Sequence, residues 1–321
     1  MGAVEGILAP VKIAGGIVRG VESRWVDPDL RRVVRVGALV GTWIVGVSMV
    51  AIRIPWYVYT GQVGIDAHAY WLAGLEAHPY ALAPGAVDAF LYSPLFAQAM
   101  RPLSLLPWHF FLGMWMVAET VALCWLVRPL PWVWRVPVAL LAVDEILMGN
   151  IYTFLAVAVV LGMRYPTAWA FPLLTKITPA IPGVVWFVLR GEWRQVVRAG
   201  FVTLGLVAFS VFIDPHLWVE WVRFLLSHGE QSVWAWVRLV AGVSIAAVSA
   251  KRQYAWGLPL ASLVSLPRWA GQPKDMAILL GIPRLVPKVG AVERDIGGGE
   301  EPLSETEVGG APSLAGNSSV T

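Results

Sequence analysis

The amino-acid sequence predicts an all-α protein that crosses a membrane several times, and three observations lead to that fold class. Of the 321 residues, 57% are apolar even before glycine is counted, whereas soluble domains contain roughly 45–50% with glycine included. Charged residues make up only 14%, which is too little to cover a water-facing surface. Stretches without any charged residue recur along the chain, as expected for membrane-spanning helices. A soluble globular, a disordered and a fibrous protein are therefore excluded.

The first predicted element is an amphipathic segment over residues 1–35. Its apolar residues recur at roughly helical spacing between charged ones, which favours a helix lying on the membrane surface. The charge-free stretch 36–52 then predicts the first span. Arg31, Arg32 and Arg35 precede this span, and basic flanks are typical of the cytoplasmic side.

The segment over residues 55–92 is predicted to be a large loop on the outer side of the membrane. It is rich in Pro, Gly and aromatic residues and too polar to span. Further charge-free stretches predict the other spans, at 102–118, 146–163, 177–189, 199–213, 239–250 and 253–267. Several are short and contain Pro, which indicates broken or re-entrant helices. We expect about 8–9 hydrophobic helices in a membrane domain over residues 36–286.

The C-terminal segment over residues 287–321 has a different composition. Gly, Ser, Pro and Glu dominate, and two basic and six acidic residues give it a net charge of −4, so it is predicted to be disordered. The rest of the chain is basic, which indicates contact with anionic lipid headgroups and not with nucleic acid. The sequence contains no P-loop and no His or Cys cluster with metal-ligand spacing, so we expect no metal and no other cofactor.

Asp66 is the acid best suited to chemistry, because it follows the first span within the outer loop. One interpretation is structural: the carboxylate caps a helix over residues 67–77 by accepting a hydrogen bond from a backbone N–H at its start. The other is catalytic: a carboxylate at the membrane surface can take a proton from a sugar hydroxyl. Both interpretations stay open, and they are compatible because a carboxylate has several lone pairs.

Lys176 lies in an apolar segment between Pro172 and Pro179. A cation in such a segment faces a partner or a cavity, or its side chain extends to the membrane interface. The partner would be an anion, most naturally a phosphate, and Arg101 and Arg238 are further candidates for the same role.

Two other polar sites are also notable. The acid pair Asp144–Glu145 either binds a buried cation or marks the end of a helix. Gln231 and Ser232 precede the span that contains Arg238, and a polar helix start is the simplest reading of that pair.

Taken in order, these segments resemble glycosyltransferase family 87, the membrane mannosyltransferases of GT-C fold that use polyprenyl-phosphate-mannose. The family's Asp after the first span and its downstream Tyr match Asp66 and Tyr70. Its later motifs match, in order, the segments 92–96, 149–152, 176–179 and 230–232 with Arg238. The similarity covers residues 61–240. The sequence departs from the family pattern at Ser93, where the family has Pro, and at Glu230, where it has Asn.

The resemblance implies a GT-C-like helical bundle that transfers a hexose, with mannose as the expected sugar, from a polyprenyl-phosphate donor. The acceptor would be a lipid or a glycan at the outer face of the plasma membrane, and the transfer would invert the anomeric centre. Asp66 would be the general base, and Lys176 with Arg238 would hold the leaving phosphate. The substrate-binding residues implied are His68, Tyr70, Tyr92, Asn150, Lys176, Gln231 and Arg238.

The sequence also allows three alternative functions. A membrane transporter or lipid flippase would use Lys176 with Asp144 or Glu145 as coupling charges. A truncated family member with a short C-terminal half would keep the fold and lack activity. A non-catalytic membrane scaffold would tolerate the loss of Asp66.

Overall fold

The structure is a computed structural model that describes residues 28–228, 232–267 and 273–286. Within these ranges the regular secondary structure is entirely helical, with fourteen α-helices, two 3₁₀ helices and no β-strand. The predicted all-α fold class is confirmed. The predicted amphipathic segment up to residue 27, the predicted substrate-binding residue Gln231 and the predicted tail over 287–321 lie outside the described residues.

The helices follow one another with short connections, apart from the segment between residues 76 and 93. In chain order they are α1 (Pro28–Thr60), α2 (Ile65–Leu75), α3 (Pro94–Ser104), α4 (Trp108–Val127), α5 (Trp132–Leu141), α6 (Val143–Met148), α7 (Tyr152–Gly162), α8 (Ala170–Thr175), α9 (Ile177–Leu189), α10 (Trp193–Ile213), α11 (Pro215–His228), α12 (Val233–Arg252), α13 (Gly257–Val264) and α14 (Ile282–Leu285). The 3₁₀ helices are Pro166–Trp169 and Pro273–Gly281.

In the part of the chain that the structure describes, four helices are long and apolar enough to cross a membrane: α1, α4, α10 and α12. A helix of about 20 residues spans about 30 Å, the thickness of the hydrocarbon core. Large apolar side chains on these helices are exposed, among them Ile44, Phe110 and Phe201. Such a surface is stable against lipid and costly against water, so the chain is an integral membrane protein.

The other predicted spans are shorter helices. α7 and α9 have 11 and 13 residues, and α13, within the predicted span 253–267, has only eight. The predicted span 102–118 is broken at residues 105–107, because Pro107 is the N-cap residue of α4 and α3 ends at Ser104. The prolines thus interrupt the apolar segment as the sequence indicated.

α1 ends later than the sequence indicated. It has 33 residues and continues past Pro55 to Thr60, which gives it a length of about 50 Å. A proline costs one backbone hydrogen bond, and membrane helices tolerate that loss. The segment predicted as an outer loop therefore begins in the last turns of α1 and also contains α2, which carries Asp66.

The predicted site residues of α2 lie beside an aromatic core built from α2, α3, α4 and α7. Its centre is Tyr70, whose ring lies 5.3 Å from that of Phe96 and 5.4 Å from that of Trp115. Phe111 and Leu155 complete the buried layer. A second core, around Trp169 and Phe187, holds α9, α12 and α13 together. Burial of so many large rings fixes the position of α2 against α3 and α4.

Candidate active site

Asp66 and Tyr70 lie four residues apart on α2 and therefore share one face of that helix. α2 begins at Ile65, and its N-cap residue is Gly64 in the left-handed conformation, with φ 76°. The interpretation of Asp66 as the helix cap is therefore wrong, because Asp66 lies inside the first turn. Its side chain is half-buried next to the fully buried Tyr70.

A tight turn between α6 and α7 brings Asn150 against Asp66. The Asn150 side-chain amide donates a hydrogen bond of 2.5 Å to Asp66 Oδ2. The backbone N–H of Ile151 donates a bond of 2.6 Å to Asn150 Oδ1, which fixes the orientation of the amide. Gly64 N–H also donates to the carbonyl of Leu147 at 2.7 Å, so the start of α2 is tied to the end of α6. The carboxylate of Asp66 is thus held in one orientation.

Gly149 makes this turn possible. Its φ is 69°, in the left-handed region, and a Cβ atom there would lie 2.6 Å from Cβ of Ala67 on α2. Only glycine meets both the backbone and the space requirement at this position. Gly149 therefore sets how closely the turn with Asn150 approaches Asp66.

Replacing Gly149 with alanine is expected to destabilise the protein and to impair the Asp66 site. The left-handed backbone alone costs about 1–2 kcal/mol for a residue with a Cβ atom, and the contact with Ala67 forces α2 and the turn apart. We expect a lower apparent melting temperature of the purified protein and a lower rate of substrate turnover. The matched control is Gly41→Ala, since Gly41 lies in α1 and its Cβ position has no atom within 4 Å. Equal stability of the two variants would contradict this account of Gly149.

Lys176 is the second centre of the site. It joins α8 to α9 with an extended backbone (φ −136°, ψ 93°), so its helix-end position agrees with the flanking prolines. Its half-buried ammonium group lies 3.7 Å from the ring centroid of Tyr152 and 5.7 Å from that of Tyr92. The negative face of an aromatic ring attracts a cation. Lys176 is therefore held in place as a positive group beside two tyrosines.

Two buried tyrosines connect the Lys176 side of the site to α2. The hydroxyl groups of Tyr70 and Tyr92 are 3.0 Å apart and hydrogen-bonded to each other. Burial raises the pKa of both hydroxyls well above that of a free tyrosine, and the negative charge of Asp66 raises the pKa further. Both groups consequently stay neutral at physiological pH and can act as hydrogen-bond donors.

The two acids at the start of α6, Asp144 and Glu145, lie in different environments. Asp144 binds Arg53 at 3.1 Å and accepts a hydrogen bond of 3.0 Å from the hydroxyl of Tyr57. The interpretation that this pair binds a cation therefore holds for Asp144. Glu145 is fully buried and accepts a bond of 3.0 Å from the backbone N–H of Thr153. It consequently stabilises the start of α7, next to Tyr152.

Glu119 is an acid that the sequence analysis did not place in the site. It is fully buried in α4, and neither of its carboxyl oxygens has a hydrogen-bond partner among the described residues. Asp66 and Glu145 lie within electrostatic range of it. The sequence does mark Glu119 as unusual, because it is the single acid in an apolar stretch of about 20 residues and acids inside membrane segments are costly.

The side chain of His68 contacts one acid and two tryptophan rings. Its Nδ1 lies 2.7 Å from Asp88 Oδ1, and its ring stacks on Trp71 and contacts the edge of Trp108. Asp88 has φ 64°, a backbone conformation that Asp adopts more readily than most residues. No sequence pattern indicated that Asp88 would pair with His68, because the pairing depends on the path of the loop.

The two arginine candidates lie on different helices, α3 and α12. Arg101 forms an ion pair of 3.3 Å with Asp214, at the junction of α10 and α11. Arg238 is half-buried in α12, a helix that packs against α9 and α13. The predicted polar start of α12 is confirmed, since Ser232 is its N-cap residue and accepts a bond from the N–H of Trp234.

Comparison with known proteins gives the family of this chain. A sequence model described as glycosyltransferase family 87 matches residues 90–272, more than half of the chain. The chain belongs to glycosyltransferase family 87. Searches of characterised proteins and of solved structures each gave no significant match.

Membership of glycosyltransferase family 87 means that the chain is a glycosyltransferase and acts on a sugar donor and an acceptor. The matched segment contains Tyr92, Asn150 and Lys176, whereas Asp66 precedes it. A sugar transfer needs a group that accepts the proton of the attacking hydroxyl and a group that stabilises the leaving group. The half-buried carboxylate of Asp66 and the ammonium group of Lys176 are chemically suited to these two tasks.

Proposed function

We propose that this family 87 glycosyltransferase transfers mannose from a polyprenyl-phosphate-linked donor to a lipid or glycan acceptor. One observation supports this function most strongly. The turn Gly149–Tyr152 places Asn150 on the carboxylate of Asp66 and, two residues later, Tyr152 under the ammonium group of Lys176. A single short segment thus joins a carboxylate suited to be a base to a cation suited to bind phosphate.

In the proposed reaction Asp66 is the general base. Its carboxylate takes the proton of an acceptor hydroxyl, and the hydroxyl oxygen forms a bond to the anomeric carbon of the donor sugar. The bond between that carbon and the phosphate oxygen breaks, and its electron pair remains on polyprenyl phosphate. Attack on the face opposite to the phosphate inverts the anomeric centre. The Asn150 hydrogen bond keeps the carboxylate aligned for the proton transfer.

Lys176 is proposed to bind the phosphate of the donor and to stabilise the negative charge that develops as the phosphate leaves. Its ammonium group lies against tyrosine rings in a half-buried position, where a charge interaction is stronger than in bulk water. A monophosphate leaving group needs less neutralisation than a nucleotide diphosphate, so the proposed reaction uses no metal. His68, Tyr70, Tyr92, Gln231 and Arg238 remain proposed substrate-binding residues.

The proposed site faces the outside of the plasma membrane. Arg31, Arg32 and Arg35 lie in the first turns of α1, and such clusters favour the cytoplasmic side. α1 is long enough to cross the membrane, and α2 with Asp66 follows its other end. A polyprenyl-phosphate sugar would reach this side from within the lipid bilayer.

The donor class is tested with the purified full chain in proteoliposomes. Three labelled donors are compared, polyprenyl-phosphate-mannose, polyprenyl-phosphate-glucose and GDP-mannose, together with a lipid extract as the source of acceptor. We expect label to be incorporated from polyprenyl-phosphate-mannose and not from GDP-mannose. Transfer from GDP-mannose alone would contradict the lipid-linked donor, and preference for the glucose donor would contradict mannose as the sugar.

A further inference from the structure

A cavity outside the Asp66 site lies between the segment that follows α2 and the C-terminal part of α11. Its volume is about 290 Å³, close to the lower end of the range of small-ligand sites. A space of this size suits a single sugar unit. The residues that line it and matter here are His78, Tyr80, Glu220, Arg223, Phe224 and His228.

The floor of the cavity is aromatic. Tyr80 and Phe224 are both buried, and their ring centroids are 5.7 Å apart at an interplanar angle of 38°. The ring of His228 continues the row, 5.0 Å from Phe224. A floor of tilted aromatic rings offers apolar surface against which the C–H face of a pyranose ring can pack.

The rim of the cavity is polar and nearly balanced in charge. Glu220 Oε1 lies 2.8 Å from Nδ1 of His78. Arg223, one helical turn after Glu220, supplies a guanidinium group to the rim. A carboxylate and a guanidinium group together bind neighbouring hydroxyls by accepting and donating charge-assisted hydrogen bonds. The same carboxylate disfavours an anion such as phosphate, because like charges repel. The rim therefore suits a neutral, hydroxyl-rich ligand.

A hydrogen bond links the cavity floor to a residue of the candidate active site. The hydroxyl of Tyr80, in the floor, donates a hydrogen bond of 2.9 Å to the backbone carbonyl of Tyr92. The ring of Tyr92 faces Lys176, and its hydroxyl binds that of Tyr70 on α2. Tyr80 in the cavity floor is thus linked through Tyr92 to the cluster that contains Lys176.

We propose that this cavity binds a neutral sugar unit of a glycan acceptor. The inference rests on the proposed function, since it takes the substrate at this site to be the acceptor of the glycosyl transfer. The aromatic floor would hold the apolar face of the sugar, and Glu220 and Arg223 would bind its hydroxyls. The sugar would be positioned next to the site without touching the lipid-linked donor.

The binding experiment uses the full chain in nanodiscs of phosphatidylcholine and phosphatidylglycerol, free of detergents with sugar headgroups. The probes are methyl α-mannoside and methyl α-glucoside, and binding is followed by saturation-transfer NMR without any donor. We expect both hexosides to bind, and Glu220→Gln and Arg223→Gln each to weaken binding about tenfold, the usual effect of losing a hydrogen bond to a charged group. Glu76→Gln removes an exposed carboxylate at the end of α2 and should leave binding unchanged.

The outcomes separate this proposal from the proposed reaction. Asp66→Asn should leave hexoside binding intact, so a failure of the base assignment does not affect the result for the cavity. Absence of hexoside binding, or equal binding by the wild type and both cavity variants, would overturn the sugar site. Displacement of the hexosides by inorganic phosphate would also overturn it, in favour of an anion site. In turnover assays Glu220→Gln should raise the KM for the glycan acceptor and leave the KM for the donor unchanged.

Discussion

Asp66→Asn is expected to abolish sugar transfer while the protein remains folded and inserted. Asparagine has the same shape as aspartate and still offers an oxygen to the amide of Asn150, so the hydrogen bond between α2 and the turn is preserved. It cannot take up a proton from the acceptor hydroxyl. General-base catalysis contributes about 10²–10⁴-fold to a rate, and the variant should lose at least that much in kcat.

The measurement is the initial rate of label transfer from polyprenyl-phosphate-mannose at saturating donor. Binding of the donor is followed separately and should change little, because the substitution acts on the proton transfer. Glu76→Gln is the matched control: it changes a carboxylate to an amide at the C-cap of the same helix, where the side chain is exposed. A variant at Asp66 that keeps the wild-type rate would exclude this residue as the base and favour a purely structural role.

The features that the sequence predicted are those with a local physical cause. Apolar composition and charge-free stretches predicted a helical membrane protein, and prolines predicted broken helices such as the interruption between α3 and α4. The order of Asp66 and Tyr70 after the first span supported the resemblance to the family, and the structure places both on α2. Each of these depends on a few consecutive residues, so a single sequence is enough to infer them.

The features that the sequence left undetermined depend on contacts between distant segments. Asn150 is 84 positions from Asp66, and their hydrogen bond exists because Gly149 lets the turn approach α2. The pairing of Asp144 with Arg53 likewise joins α6 to α1. The interpretation of Asp66 as a helix cap was wrong because α2 begins at Ile65, two residues earlier than expected, with Gly64 in the left-handed conformation as its N-cap residue. Helix packing, and not local preference, decides such pairings.

Replacing Lys176 with methionine is expected to weaken donor binding strongly. Methionine keeps the length and apolar packing of the lysine stem against Tyr152 and Tyr92, and removes only the charge. A lost interaction between a cation and a phosphate should raise the apparent KM for the donor about 10–100-fold. Inhibition by the product polyprenyl phosphate should weaken in parallel, because the product carries the same phosphate.

This parallel loss distinguishes a phosphate-binding lysine from one that only extends to the membrane interface. Snorkelling would place the ammonium group among lipid headgroups, and its removal would leave the donor KM and the product inhibition unchanged. Lys251→Met provides the matched control, since Lys251 is an exposed lysine in the last turn of α12. Lys176→Arg restores the charge on a longer, planar group and should recover part of the donor affinity. If neither the donor KM nor the inhibition constant responds to Lys176→Met, the phosphate must be bound by other cations of the chain.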